Sequence, residues 1–281
     1  MTQTAQPAAQ STSPTQSRLA AEQFGRTANA YLSSAVHAQG ADLERLAALA
    51  QGMNKPGLKQ TCALDLGCGA GHAAFALSRG GAAVTAYDLS KEMLDVVAAE
   101  AARRGHAGLR TVQGPAERLP FGEAEFDLVA TRFSAHHWSN VPAALNEARR
   151  VLKSGGTLAV IDGISPEMPI LDTVLQTVEI LRDASHVRDY RVSEWVAMVS
   201  AAGFAAPTDI DTWKLRMDFD NWVARMRTPE LRVQAIRDVL AKAPEEAKRH
   251  FSIDTNSCFD LDVAWFSTRR ASATGASCHS A

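Results

Sequence analysis

The sequence predicts an α/β fold in which a parallel, doubly wound sheet carries helices on both faces. Two observations lead to this prediction. From residue 61 onward, short apolar runs alternate with segments of helical periodicity, and a glycine-rich turn follows the first apolar run. Strands that alternate with helices form parallel sheets, because each crossover helix returns the chain to the same end of the sheet.

The apolar periodicity predicts the elements in chain order. Two N-terminal helices are expected over 18–36 and 41–50. Strands are expected at 62–66, 82–88, 109–114, 126–133 and 155–162, with helices between them at 71–80, 91–104 and 141–152. Ser90 is the expected N-cap of the helix over 91–104. Further on, the pattern predicts helices at 168–183, 193–202 (capped by Ser193), 219–227 and 231–249, and strands at 208–219 and 257–270.

These elements predict one main domain with helical additions. The main domain covers 61–270, and the additions are an N-terminal helical lid at 18–52 and insertions at 164–183 and 219–249. Segments 1–17 and 271–281 consist largely of small and polar residues and are predicted to be disordered tails. The additions are expected to gather at the carboxyl ends of the strands, where open α/β sheets bind ligands.

The composition excludes several classes of function. The formal net charge is −2, and basic pairs fall near predicted helix ends, so nucleic acid is not an expected partner. No run of 18 apolar residues exists, so no membrane span is expected. The first 17 residues lack the apolar core of a secretory signal, and the four cysteines lack paired spacing. We therefore expect a cytoplasmic monomer or homodimer that acts on a small molecule.

The segment "TCALDLGCGAGH" at 61–72 permits two interpretations of the ligand. The pattern Gly69-x-Gly71-x-x-Ala74 matches the dinucleotide fingerprint, whereas Asp65-x-Gly67-x-Gly69 places an acid before the glycines. A pyrophosphate at this turn would lie near the carboxylate of Asp65, which is unfavourable in a poorly hydrated cleft. A ligand with an ammonium and a sulfonium, such as S-adenosylmethionine, would be attracted by the same carboxylate.

The second strand ends at Asp88, followed by Leu89, and a carboxylate there can accept both hydroxyls of a ribose. Both methyl-donor and NAD sites use this device, and Asp88 could instead cap the next helix. After the third strand, backbone amides near Ala116 and Glu117 could hydrogen-bond the edge of an adenine.

Five segments together resemble one enzyme family. "LDLGCGAGH", "VTAYDLS", "GPAERLPF", "FDLVATRFSAHHW" and "ARRVLKSGGTLAVID" occur in the order and spacing of class I S-adenosylmethionine-dependent methyltransferases of type 11. The resemblance is to the small-molecule branch that includes ubiquinone/menaquinone-biosynthesis-type enzymes. It is closer to a bacterial subgroup with the segments "RFSAHHW" and "LRDASHVRDY", and it covers about residues 24–268. One departure is Pro115, where many relatives have an aspartate that accepts the adenine amino group.

This resemblance implies a Rossmann-like, seven-stranded sheet with an antiparallel last strand. It also implies that Arg132 lies beside cofactor and acceptor, and that the N-terminal helix with Phe24 and Tyr31 folds over the cofactor. Tyr31 could equally pack within its helix. The implied cofactor-binding residues are Asp65, Gly67, Gly69, Asp88, Leu89, Ala116, Glu117, Arg132 and Tyr31.

The candidate catalytic residues are His136, His137 and Asp162, at the ends of the fourth and fifth strands. An imidazole titrates near neutrality and suits a general base, although each histidine could equally anchor its loop. Asp162 could orient or deprotonate the acceptor, or cap a loop. The segment 181–190 could bind an oxygen-rich substrate, but an internal salt-bridge network is favoured. Trp195, Trp213 and Trp222, in or beside the added segments, could form the walls of an apolar or aromatic acceptor pocket, although large aromatic side chains usually belong to the core. No spacing of cysteine, histidine and acidic residues suggests a metal.

We therefore predict a methyltransferase that uses S-adenosylmethionine and acts on a small-molecule acceptor, either aromatic or quinone-like, by in-line methyl transfer. Two alternatives stay open at this point. One is an NAD(P)-dependent oxidoreductase, against which Asp65 and the lack of a second mononucleotide-binding half argue. The other is a cofactor-binding regulatory protein without transferase activity.

Overall fold

The computed structural model describes residues 15–25 and 40–271, except residues 56, 58 and 107. Its strands are β1 (Cys62–Leu66), β2 (Ala83–Asp88), β3 (Arg110–Gln113), β4 (Phe126–Arg132), β5 (Leu152–Ser165), β6 (Tyr190–Arg191), β7 (Ile210–Met217) and β8 (Phe259–Arg269). Its helices are α1 (Gln16–Gly25), α2 (Ala41–Met53), α3 (His72–Arg79), α4 (Lys91–Arg104), α5 (Val141–Val151), α6 (Pro169–Arg182), α7 (Val192–Ala201), α8 (Phe219–Arg225), α9 (Glu230–Lys242) and α10 (Glu245–His250). A single 3₁₀ turn, Ala135–His137, follows β4.

Seven strands lie in one mixed sheet in the order β3-β2-β1-β4-β5-β8-β7. Strands β1 to β5 are parallel, whereas β8 runs antiparallel to both β5 and β7. The predicted doubly wound sheet with an antiparallel last strand is therefore confirmed. The two-residue strand β6 pairs with the end of β5 and was not predicted, because two residues carry no periodicity.

Helices cover both faces of the sheet because successive strand residues point to opposite sides. In β1, Leu64 and Leu66 join a core cluster beneath α5 and α7, whereas Ala63 joins a second cluster beneath α2, α3 and α4. Strand β1 is buried on both faces, which is why its sequence is apolar almost throughout. A third cluster joins the added helices α6, α8, α9 and α10 to one another and to β7 and β8.

Most element boundaries agree with the predictions within about two residues, and Ser90 caps α4 as predicted, with its hydroxyl accepting from the Met93 amide at 3.2 Å. The predicted cap at Ser193 is wrong. Helix α7 begins one residue earlier, at Val192. The amide and hydroxyl of Ser193 instead donate to Glu167, at 3.0 and 2.7 Å.

The prediction of a single helix over 231–249 is also wrong, because Pro244 interrupts it and separates α9 from α10. A proline has no amide hydrogen and disfavours helical geometry in the residue before it. Ala243 accordingly has an extended ψ of 145°.

The predictions for the chain ends fall partly outside the described residues. Helix α1 begins at Gln16, two residues before its predicted start and inside the segment predicted as a tail. The rest of that predicted helix beyond Gly25, including Tyr31, lies outside the described residues, as do 1–14 and 272–281 of the predicted tails. Within the described ranges, no helix has both the length and the apolar character that crossing a bilayer requires.

Candidate active site

The glycine turn lies where the carboxyl ends of β1, β2 and β4 meet. The amides of Gly67 and Cys68 both donate to the carbonyl of Tyr87, at 2.8 and 3.0 Å, which holds the turn against the end of β2. Gly67 has a φ of +74°, and a Cβ built there would stand 1.9 Å from the Ser134 hydroxyl. At Gly69, with a φ of +49°, a Cβ would meet nothing within 4 Å. The turn thus requires glycine at both positions and leaves open space over Gly69.

Asp65, the last but one residue of β1, is fully buried. Neither of its carboxyl oxygens has a hydrogen-bond partner among the described residues. Burial raises the pKa of Asp65 to about 7; the backbone amide of Ala74 and the charge of Arg132 oppose this rise, whereas the charge of Asp88 adds to it. A buried carboxyl without a partner is costly, so this group is suited to a cationic ligand that would satisfy it.

Asp88 ends β2 on the opposite side of the turn. One carboxyl oxygen accepts from the Gly69 amide at 2.8 Å, and the other from the Ser90 amide at 2.9 Å. Burial raises the pKa of Asp88, and these backbone hydrogen bonds oppose the rise. Each oxygen keeps a lone pair for a further donor, so the carboxylate can receive two hydroxyl groups side by side.

A first cavity, with about 690 Å³ of space, opens between this turn and the loop after β3. It is lined by Asp88, Leu89, Pro115, Ala116 and Glu117, among others. The Glu117 carboxylate accepts from Ser139 at 2.7 Å and from the Asn140 amide at 3.1 Å. The predicted residues of the second and third strand ends therefore share one cavity, and no carboxylate stands at Pro115.

Helix α1 covers this cavity from outside. Ser17, Ala20, Ala21 and Phe24 contribute to its lining. The side chain of Gln16 donates to the carbonyl of Ser185 at 2.5 Å. Phe24 meets the ring of His137 edge-on, with centroids 4.7 Å apart. The helix is thus tied to the loops beyond β4 rather than to the sheet alone.

A second cavity, with about 980 Å³ of space, adjoins the first across Gly67, Gly69, Met93 and Phe133, which line both. Asp65 and Arg132 line it on the side of the glycine turn. The far side is formed by side chains of the added segments and of β7 and β8, which are Glu179, Arg182, Asp189, Leu215, Met217, Trp222, Arg225 and Leu261. His136 and His137 stand between the two sides.

His136 forms a close pair with Asp162. Its Nδ1 lies 2.5 Å from Asp162 Oδ1, and the two carboxyl oxygens also accept from the amides of Ala135 and Gly163, at 2.8 and 2.9 Å. Burial works against a charged imidazole, but the charge and hydrogen bond of Asp162 raise the pKa of His136 to about 9. Asp162 lines neither cavity, so it influences the second cavity only through the charge and orientation of His136.

His137 has the opposite character. Its Nδ1 lies 3.1 Å from the Ser185 carbonyl, to which it donates. Burial and the charge of His136, whose ring centroid lies only 4.2 Å away, lower the pKa of His137 to about 4. Adjacent imidazoles therefore hold different charges near neutral pH, one cationic and one neutral.

The segment 181–190 wraps around the histidine turn and forms the predicted internal network. The amides of Val187 and Arg188 donate to the carbonyl of His136, at 2.8 and 3.2 Å. Arg188 pairs with Asp172 at 2.8 Å and with Glu194 at 3.3 Å. These contacts fix the orientation of the turn that carries both histidines.

Arg132 extends from the end of β4 toward α2, where it forms a buried ion pair with Asp42. Its guanidinium also lies 4.7 Å from the ring of Phe133. Arg132 lines the second cavity together with Asp65, and its ion pair with Asp42 attaches α2 to the sheet.

Sequence reasoning missed two acids of the second cavity, Asp189 and Glu179, and it treated three tryptophans alike. Asp189 Oδ2 is buried without a partner among the described residues. Three tryptophans were proposed as possible walls of an acceptor pocket. Trp222 lines the second cavity, Trp195 belongs to the core beneath α7, and Trp213 lines neither cavity. Chain position could not separate them, because the added segments carry no regular repeat. No group of three or more metal-binding side chains occurs in the described part of the chain.

Comparison with known proteins finds relatives that span most of this chain. Residues 64–160 match a family described as a methyltransferase domain. The chain is 45% identical to the uncharacterized protein YafE of Escherichia coli over 201 residues, covering 72% of this chain and 97% of the relative. It is 38% identical to the uncharacterized methyltransferase YcgJ of Bacillus subtilis, covering 83% of this chain and 90% of the relative.

The crystal structure of YcgJ matches with a TM-score of 0.74 and 35% identity, over 81% of this chain and 98% of that one. A ubiquinone/menaquinone biosynthesis C-methyltransferase of Rhizobium meliloti is 38% identical over 129 residues, which is 44% of this chain and 50% of the relative.

Proposed function

The chain belongs to the class I S-adenosylmethionine-dependent methyltransferase family, and on this premise we propose that it transfers a methyl group from S-adenosylmethionine to a small-molecule acceptor. The observation that carries the proposal is the buried carboxyl of Asp65, which lacks a hydrogen-bond partner at the glycine turn. A pyrophosphate placed there would be repelled by Asp65 once ionised, whereas an ammonium would satisfy it.

The residues present fit this cofactor. Asp65 would receive the ammonium, and Asp88 would accept the two ribose hydroxyls on the free lone pairs of its oxygens. The adenine would lie in the first cavity, between Leu89 and the backbone of Ala116 and Glu117, which line it. Gly69 leaves the space above the turn open for the ligand. Pro115 supplies no carboxylate to the adenine amino group, so its recognition falls to the backbone.

When bound, S-adenosylmethionine supplies a methyl group on a sulfonium, which needs no further activation as a leaving group. The protein must then align the acceptor and exclude water. The second cavity is continuous with the first and would hold the acceptor, with the His136–Asp162 pair at its wall and His137 beside it. Helix α1, through Phe24, would cover the junction of the two cavities as a lid.

The acceptor is proposed to be aromatic or quinone-like. The far wall of the second cavity is apolar at Leu215, Met217 and Leu261 and aromatic at Trp222, which suits a flat ring. The similarity to a quinone-biosynthesis methyltransferase, over half of that relative, points the same way.

The test is calorimetric titration of the purified protein with S-adenosylmethionine, S-adenosylhomocysteine and NADH. We expect the first two to bind at micromolar affinity and NADH not to bind. Asp88→Ala should weaken cofactor binding at least about tenfold, because two hydrogen bonds to a charged group are lost. The matched control is Asp95→Ala on the exposed face of α4, where the carboxylate pairs with Lys91.

Binding of NADH alone would contradict the proposal and favour an oxidoreductase. If the methyl donor binds, a screen of phenols, quinones and heteroaromatics for uptake of labelled methyl groups follows. Cofactor binding without any methyl uptake across that screen would favour a regulatory protein.

A further inference from the structure

We propose that the second cavity binds its acceptor as an oxyanion, with the Nε2–H of His136 donating to the negatively charged oxygen. The inference rests on the proposed function and specifies its substrate class. The acceptor would be a compound with an acidic hydroxyl group, namely a phenol, a hydroxyquinone or an enolised dicarbonyl. Amines and aliphatic alcohols would be poor ligands of this site.

The first support is the orientation of His136. Its Nδ1 is occupied by Asp162 at 2.5 Å, and no partner of its Nε2 occurs among the described residues, although the ring lines the cavity. Asp162 cannot turn away, because Ala135 and Gly163 each donate a backbone amide to it. The carboxylate therefore holds the imidazole in one orientation, with its second nitrogen free for a ligand.

The second support is the sign of the charge that faces the acceptor. Asp162 stabilises the imidazolium of His136, and the pKa of about 9 means that it is charged at neutral pH. A protonated imidazole is a poor base but a strong hydrogen-bond donor to an anion. The roles that chain position suggested, base or anchor, are thus replaced here by electrostatic stabilisation.

Asp162 is the acid in direct contact with this cation. The rings of His137 and His186 are neutral, because burial and the charge of His136 lower their pKa values to about 4 and about 2. The acids Asp189 and Glu179 also help to raise the pKa of His136. Burial raises the pKa of Asp189 to about 8 and raises that of Glu179, whose carboxylate pairs with Arg182 at 3.4 Å. The remaining charged or titratable groups that line the cavity are His72, Arg132, Arg182, Arg225, Asp65 and Cys68.

The third support is the shape of the wall opposite. Trp222 is among the residues that line the cavity, although it is only 1% exposed, and the guanidinium of Arg182 lies 4.8 Å from its ring and donates to its carbonyl at 3.0 Å. A wall that combines Trp222 with the apolar side chains of Met217 and Leu261 suits the ring of a conjugated acceptor. An ammonium at the same place would meet the positive charge of His136.

The experiment uses 4-nitrophenol as the probe, since its ionised form is yellow and its neutral form is not. The full chain is first saturated with S-adenosylhomocysteine, and the dye is added at a pH about one unit below its own pKa, where roughly a tenth of the free dye is ionised. We expect the bound dye to be mostly yellow, which corresponds to a pKa lowered by at least about one unit. The bound phenolic proton is released to the solvent.

His136→Gln, which keeps a neutral donor but removes the charge, should abolish the shift while S-adenosylhomocysteine still binds. Asp162→Asn should reduce it, because the imidazole then loses the carboxylate that favours its charged form. The matched control is His250→Gln, since His250 also lies 2.5 Å from an aspartate, Asp262, but lines neither cavity. That variant should leave the colour unchanged.

Three results would overturn the inference while leaving the proposed function intact. These are a dye that fails to bind beside S-adenosylhomocysteine, a dye that binds in its neutral form, and a shift that survives His136→Gln. Failure of S-adenosylhomocysteine itself to bind the wild-type protein would instead refute the proposed function. If His136→Gln loses S-adenosylhomocysteine binding, His136→Asn takes its place, so that the comparison is made on a folded protein.

Discussion

Substitution of Asp65 by asparagine should stabilise the protein without ligand and weaken its cofactor binding. The carboxyl of Asp65 is fully buried, and its oxygens have no partner among the described residues. Folding raises its pKa from 3.8 to about 7, so the folded state holds the proton more tightly than the unfolded chain does. An acid of this kind destabilises the fold progressively as the pH rises from about 4 to about 7.

The magnitude follows from the size of the shift. A difference of about three pKa units corresponds to about 4 kcal/mol, which is an upper limit because a buried site relaxes when it is charged. Asparagine removes this charge but leaves a buried amide, which costs about 1–3 kcal/mol at every pH. We therefore expect the stability of Asp65→Asn relative to the wild type to increase by about 2–4 kcal/mol between about pH 4 and pH 8.

The assay is urea unfolding without ligand, followed by tryptophan fluorescence at a series of pH values. Asp95→Asn, on the exposed face of α4, is the control and should show no such trend. Addition of S-adenosylhomocysteine should reverse the order, because its ammonium satisfies the carboxylate in the wild type alone. A relative stability of Asp65→Asn that is flat or falls with pH would refute the reasoning, since it would mean that the carboxylate is already compensated.

Two further pairs of substitutions test the glycine turn and the attachment of α2. Gly67→Ala should lower the free energy of unfolding by more than about 1–2 kcal/mol, because the φ of +74° disfavours a side chain and the new Cβ would strike Ser134. Gly69→Ala should lose less stability, but calorimetry should show a larger loss of affinity for S-adenosylhomocysteine. Asp42→Asn should lower the free energy of unfolding in urea by about 3 kcal/mol, because it removes the buried countercharge of Arg132. Glu44→Gln, in the exposed pair of the same helix with Arg79, should change this free energy little. Equal effects within either pair of variants would contradict the structural explanation.

Much of the fold could be predicted because its signals are local. A strand such as β1 is a largely apolar run followed by glycine, and α4 is capped by Ser90 at its start and by Gly105, with a φ of +75°, after its last residue. Two of the errors occurred where neighbours in space override the local pattern, whereas the missed interruption at Pro244 is itself a local signal. Glu167 occupies the amide of Ser193, and β6 exists because it pairs with the end of β5.

The arrangement around the glycine turn was predictable for the same reason. Asp65, Gly67, Gly69 and Asp88 lie at the ends of neighbouring parallel strands, and parallel strands bring their carboxyl ends to one edge of the sheet. Position in the chain is therefore enough to bring these residues together. The far side of the second cavity follows no such rule, because added helices that come from distant parts of the chain build it.

Most strands and helices, the glycine turn and the residues at the first strand ends could be predicted from the amino-acid order, since they depend on periodicity and short spacing. The charges of the second cavity follow from the folded arrangement alone. His136 and Asp162 are 26 residues apart, and their contact at 2.5 Å makes one histidine cationic while burial keeps its neighbour His137 neutral. A pKa depends on burial and on the distance to other charges, and neither quantity exists until the chain is folded.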